Sequence, residues 1–128
     1  MREIKFRGKS KVTNQWVYGD LIHKASFVGI EFDTIGGREY HAVWQVGQYT
    51  GLHDKNSKGV YEGDYIEDAR GLIHLVFWDE NECAFKLDYK YYHHKDKDEC
   101  HSQLPMYSRK GEVIGNIYEN PELLQEVT

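Results

Sequence analysis

Phe85, Leu87, Tyr89 and Tyr91 alternate with Lys86, Asp88, Lys90 and Tyr92. A period of two separates into two faces only in an extended chain, so this stretch reads as a strand. Just before it, Leu72-Ile73-His74-Leu75-Val76-Phe77-Trp78 is apolar at nearly every position, which suits a central strand covered on both faces. Asp79-Glu80-Asn81-Glu82 supplies a polar turn, and 72–78 with 83–92 reads as a hairpin.

Strand signals recur along the chain. Ile4 and Phe6 alternate with Lys5 and Arg7. Trp16-Val17-Tyr18-Gly19-Asp20-Leu21-Ile22 follows, with a bend or bulge expected at Gly19. Phe27, Ile30 and Phe32 lead into Gly36-Gly37, a hairpin signal because tight turns need positive φ, and residues 40–46 form the returning strand. Turn residues dominate 48–64, where 54–59 is expected to be a surface hairpin loop. Residues 113–118 make a last strand. Asn120-Pro121 then reads as an N-cap with proline at the first helical position of a short helix, with Glu122 suited to its start. Helix is otherwise scarce, since alanine occurs only at 25, 42, 69 and 84. The fold expected is one mostly β domain over 1–128, a strongly bent sheet with few helices and that short C-terminal helix.

Val17-Tyr18-Gly19-Asp20-Leu21-Ile22 and Val60-Tyr61-Glu62-Gly63-Asp64-Tyr65-Ile66 share an outline. Either the chain carries an internal duplication or one turn solution is used twice. In both cases Gly19, Asp20, Gly63 and Asp64 are structural positions, glycine taking the backbone angle and aspartate bonding nearby amides.

The longest unbroken apolar run, Leu75-Val76-Phe77-Trp78, is far short of the ~20 residues of a spanning helix, so no membrane passage is expected. No apolar stretch of ~7–15 residues follows the basic first residues, so no secretory signal is expected. Two cysteines, Cys83 and Cys100, are too few for a disulfide framework and fit the cytoplasm.

The sharpest chemical feature is at the amino terminus. Arg2, Lys5, Arg7, Lys9 and Lys11 stand against Glu3 within twelve residues, a local charge of +4 in a chain of net −5. In a continuous strand Lys5, Arg7, Lys9 and Lys11 share one face, a spacing able to follow a phosphate backbone, with Trp16 and Tyr18 near enough to stack on single-stranded bases. The plainer alternative is a solvated face, or an edge guarded by lysines against unwanted pairing. An acidic chain also departs from the usual basic nucleic-acid-binding domain.

His93, His94, Cys100 and His101, with Cys83, are residue types that zinc takes, but two separated ligand pairs are missing, so 93–103 is read as an exposed loop without metal or cofactor. Asp20, Glu62, Asp64 and Asp79 are turn formers first. No nucleophile elbow, phosphate-binding loop or metalloprotease helix appears, so catalysis is not expected. Ten tyrosines are more than so small a core holds centrally, which leaves some at the surface as contact residues.

Four stretches carry a resemblance in order: Met1-Arg2-Glu3-Ile4-Lys5-Phe6-Arg7; Gln48-Tyr49-Thr50-Gly51-Leu52 with Asp54-Lys55-Asn56; Val60-Tyr61-Glu62-Gly63-Asp64; and Val113-Ile114-Gly115-Asn116-Ile117-Tyr118-Glu119-Asn120-Pro121-Glu122-Leu123-Leu124. Together they resemble the YopX family, small proteins encoded by bacteriophages and prophages, chiefly of Gram-positive bacteria. The resemblance marks Gly51, Gly63, Asp64, Asn120 and Pro121 as motif positions and implies a mostly β protein with an SH3-like barrel region. It implies no established biochemical function, cofactor or catalytic residue. Two departures stand out: Ser57 occupies a turn position where the family often has glycine, and 93–103 looks like a local elaboration.

The function expected is that of a non-catalytic interaction module or homo-oligomer in a bacterial host cell, its partner a second copy or a phage or host protein. The alternative is a nucleic-acid-binding module using Arg2, Lys5, Arg7, Lys9, Lys11 and Trp16.

Overall fold

The computed structural model describes residues 3–69, 71–89, 101–103 and 110–124. It is mostly β, and the chain divides into two compact units, Met1–Gly51 and Leu52–Thr128.

The first unit is built from β1 (Phe6–Ser10), β2 (Trp16–Lys24), β3 (Phe27–Thr34) and most of β4 (Gly37–His53). Its two long strands change partner partway. Residues 16–19 of β2 pair with β1 and 20–24 with β3; residues 37–42 of β4 pair with β3 and 43–48 return to β1. All four pairings are antiparallel, so the hydrogen bonding runs round a closed circuit and the sheet is strongly curved.

Gly19 sits at the handover in β2, inside the strand and not in a turn. A Cβ there would lie 2.3 Å from the Glu31 carbonyl oxygen, so the bend expected at this position is a place of close backbone approach. On β4 the register slips between Arg7 and Lys9, where Gln45 takes φ 57° as the extra residue of a bulge. Ile30 and Val43 are buried in this unit. The Gly36-Gly37 hairpin forms as expected, with Thr34 opposite Gly37 and φ 126° at Gly37. The returning strand runs on well past 46, because pairing with β1 holds the turn-rich residues extended as far as Gln48, and Gly51 lies within β4 at φ 88°.

In the second unit, β4 ends at His53 and pairs with β5 (Gly59–Tyr61) across the 54–58 loop. β6 (Asp64–Glu67), β7 (Ile73–Asp79), β8 (Ala84–Tyr89), β9 (His101–Gln103) and β10 (Glu112–Asn116) form a sheet in the order β10-β6-β7-β8-β9. β7 is central, as its apolar run suggests, and the β7–β8 hairpin pairs from Asp79↔Ala84 to His74↔Tyr89. The rest of that expected strand, 90–92, lies outside the described residues. Val60, Ile66, Val76 and Leu87 form the core, with Leu52, Phe85 and Val113 packed against it.

The C-terminal helix is one 3-10 turn, Pro121–Leu124. Asn120 does not cap it with its side chain. Its Oδ1 accepts the Asn116 N–H at 3.2 Å, tying the turn back to β10, while its carbonyl accepts from Leu123. Proline brings no N–H, and the closing bond spans only three residues.

Candidate functional site

Lys5, Arg7 and Lys9 fall on one face of the first unit's sheet because alternate residues of a strand share a face. The neighbouring strands supply what stands beside them. Arg7 pairs with Tyr18 and Lys9 with Trp16 on β2, while on the other side Lys9 pairs with Trp44 on β4. Directly opposed residues share a face, so one row across three strands reads Trp16, Lys9, Trp44.

Each cation lies over a ring. Lys5 Nζ is 5.9 Å from the Tyr18 centroid, and Arg7 Cζ and Lys9 Nζ are 4.8 and 5.6 Å from that of Trp16. Lys11, just past β1, places its Nζ 5.9 Å from Trp44. The ring faces attract cations through their quadrupole, which holds the lysines against the sheet.

Trp44 is 52% and Tyr18 44% exposed, Lys11 is exposed, and Lys5, Lys9 and Trp16 are half-buried. Arg7 differs. At 5% exposure it is a buried guanidinium stacked on Trp16, so the cations presented at the surface are Lys5, Lys9 and Lys11. Arg2 lies outside the described residues. Trp44 was not picked out in the sequence, because only the β1–β4 register brings it beside Lys9, thirty-five positions away.

The Lys5 end of the face meets an acidic border. A shallow hollow of about 270 Å³ is lined by Glu3, Lys5, Tyr18, Asp20, Glu31 and Arg38 among others. Arg38 binds Glu31 at 2.7 Å, Asp20 at 2.8 Å and Asp33 at 2.9 Å. The Glu31 bond, and after it that of Asp20, holds the Arg38 guanidinium above its already high range. Three carboxylates round one cation leave this border net negative.

A second cluster has the outline of hydrolytic machinery. Ser10 Oγ is 2.8 Å from His41 Nδ1, and His41 Nε2 is 3.3 Å from Glu39 Oε2. The hydroxyl, however, accepts the N–H groups of Val12 and Thr13 at 3.1 and 3.2 Å, and its residue is wholly buried. With both lone pairs engaged the O–H donates to Nδ1, leaving the imidazole proton on Nε2 toward Glu39. The arrangement clamps the β1–β2 turn and offers no accessible nucleophile.

The other motif positions are similarly engaged. Asp64 is buried and its Oδ2 accepts the Tyr61 N–H at 2.8 Å; Gly63, in the turn before it, has φ 94°. Asp20 lies inside β2 and not in a turn. In the 54–58 loop Asp54 Oδ1 accepts Asn56 and Lys58 N–H and Oδ2 accepts Val113 N–H, each at 2.9 Å. Burial pushes this carboxyl up, but those three donors, Val113 first, outweigh it and hold it below the ordinary range. Asp68 and His74 form a buried pair at 2.9 Å.

Of the zinc-type residues, His93, His94 and Cys100 lie outside the described residues, His101 is on β9, and Cys83 is exposed with Sγ 3.6 Å from the Glu80 carbonyl. Among the described residues there is no group of three metal-ligating side chains and no helix long and apolar enough to cross a membrane.

The protein EF1440 from Enterococcus faecalis, known from a crystal structure, shares the fold: 22% identity, TM-score 0.58, covering 97% of this chain and 99% of that one. No curated protein matches the chain. The family model described as YopX protein matches residues 5–125, nearly the whole length, and the chain belongs to the YopX family.

Proposed function

We propose that this protein works by binding and not by catalysis, as a phage- or prophage-encoded module of the bacterial cytoplasm whose contact surface is the β2–β1–β4 face and whose partner is anionic. One observation carries the reading: Lys5, Lys9 and Lys11 are interleaved with Trp16, Tyr18 and Trp44 on a single sheet face of a chain that is acidic overall. Arg7, buried against Trp16, is a positioning residue. The test is retention on a heparin column. The protein is expected to bind at low salt and elute as salt rises, and a Lys5→Glu/Lys9→Glu/Lys11→Glu variant to pass through. A Lys58→Glu/Lys110→Glu variant, changed in the second unit, should behave almost as the parent. Equal retention of the parent and the triple variant defeats the reading.

Self-association is a second reading, favoured by Val12 in the β1–β2 turn and Ile35 in the β3–β4 turn, 80% and 109% exposed, with Phe27 46% exposed at the start of β3. Exposed apolar groups at strand connections are contact material. Sedimentation at micromolar protein should show a concentration-dependent dimer that Val12→Ser/Ile35→Ser abolishes; a monomer at every concentration removes it.

A further inference from the structure

We infer that the anionic partner of the β2–β1–β4 face is a single-stranded nucleic acid, lying along β1 from Lys5 toward Lys11 with bases against Trp44 and Tyr18; this rests on the binding role proposed above. Lysines alone would suit any polyanion. The rings decide between them, because an aromatic face carries negative quadrupole density and gives nothing to a carboxylate, whereas every base has a π-face that stacks on it. An acidic peptide would use the lysines but gain no contact from the exposed parts of Trp44 and Tyr18, which beyond holding Lys11 and Lys5 remain open to a flat ring.

Duplex is disfavoured for a related reason. Its bases are already stacked on one another, and flat rings set on a sheet face do not reach them.

The spacing agrees. Alternate residues of a strand advance roughly 6.8 Å, so Lys5 and Lys9 are two such intervals apart with the buried Arg7 between them. Lys11 continues the line beyond β1, and Trp44 stands beside both Lys9 and Lys11. The carboxylates of Asp20, Glu31 and Asp33 close the Lys5 end, since a phosphate there would meet a net negative border. The track is therefore short, a few nucleotides, and open only past Lys11.

The experiment is fluorescence anisotropy with a labelled oligo-dT, set beside a duplex of equal length and a poly-glutamate competitor. Three lysine contacts predict a log–log salt slope of about −2 for a single strand, roughly a 20-fold weakening between 50 and 200 mM salt. Trp44→Ala, with every lysine kept, is expected to weaken oligo-dT by about tenfold or more while leaving the salt slope unchanged. Lys9→Ala is expected to reduce that slope by about 0.7. Binding of oligo-dT should quench tryptophan fluorescence.

Equal affinity for duplex and single strand overturns the single-strand assignment, and full competition by poly-glutamate with Trp44→Ala indistinguishable from the parent overturns nucleic acid as the partner, while in either case the anionic-partner reading stands. Heparin retention unaffected by the triple lysine reversal overturns both.

Discussion

The strings around Gly19-Asp20 and Gly63-Asp64 look alike and do different work. In the first unit Gly19 keeps β2 extended and is small because the Glu31 carbonyl passes over it; Asp20 points outward to Arg38. In the second unit Gly63 turns the chain at φ 94°, and Asp64, 1% exposed, accepts the Tyr61 N–H. A shared outline is therefore no sign of a shared turn: the expectation of one solution used twice fails because β2 pairs continuously through Gly19 and Asp20. Glycine has two separate uses, close approach and positive φ, and letters alone do not distinguish them.

The largest expected effect tests that distinction. Gly19→Ala puts a methyl group 2.3 Å from a backbone oxygen held in a sheet, so β2 and β3 must part, at a cost of about 3 kcal/mol. Gly63→Ala has room, its nearest neighbour being Tyr118 at 3.4 Å, and meets chiefly the left-handed backbone penalty of about 1–2 kcal/mol. Urea unfolding of both variants ranks them. If Gly63→Ala is the more damaging, the contrast between close approach and backbone angle is wrong.

The aspartates should separate next. Asp64→Ala leaves a buried amide without its acceptor and is expected to cost about 2 kcal/mol. Asp20→Ala removes one exposed member of the Arg38 cluster and is expected to leave the urea midpoint unchanged, since such pairs contribute little. Comparable losses in the two variants would erase the difference between the regions.

Asp54 belongs with Asp64. Its carboxylate serves three backbone amides, and its folded-state pKa lies below the unfolded value of about 4. Its stabilisation is thus complete above about pH 4 and is lost as the pH falls through the folded value. Asp54→Asn is expected to lower stability at neutral pH by about 1–2 kcal/mol and to flatten the acid limb of the stability curve, read by urea midpoints from pH 7 to 3. An unchanged acid limb would mean the carboxylate is not the group protonated there.

How far the letters reach follows the same lines. An almost unbroken apolar run located β7, a period-two run located β8, and Gly36-Gly37 located the β3–β4 turn, because composition of a short run, alternation and positive φ are local properties. The closed circuit of the first unit was not legible, since it depends on β4 returning to β1 across more than thirty residues. Half of the candidate face was legible for the same reason. Lys5, Arg7 and Lys9 declared a shared side by spacing, but the burial of Arg7 and the place of Trp44 come from register alone. Ser10 and His41, thirty-one positions apart, were silent until the strands met.

Ser57 offers the smallest and cleanest test of positive φ as a cause in itself. It stands at φ 65° in the 54–58 loop, donates its N–H to the Asp54 carbonyl at 3.0 Å, and is exposed. Gly63 has a left-handed backbone and a packed neighbour; Ser57 has the left-handed backbone in the open. Ser57→Gly removes the Cβ penalty while adding freedom to the unfolded chain, two opposed terms of about 1 kcal/mol each or slightly more on the folded side. The net expectation is a gain of about 0.5 kcal/mol, visible as a small rise in the urea midpoint with an unchanged slope. A loss instead would show that the unfolded-state term dominates at exposed left-handed positions. The smaller penalty assigned to Gly63→Ala would then need reducing in the same proportion, widening its gap from Gly19→Ala.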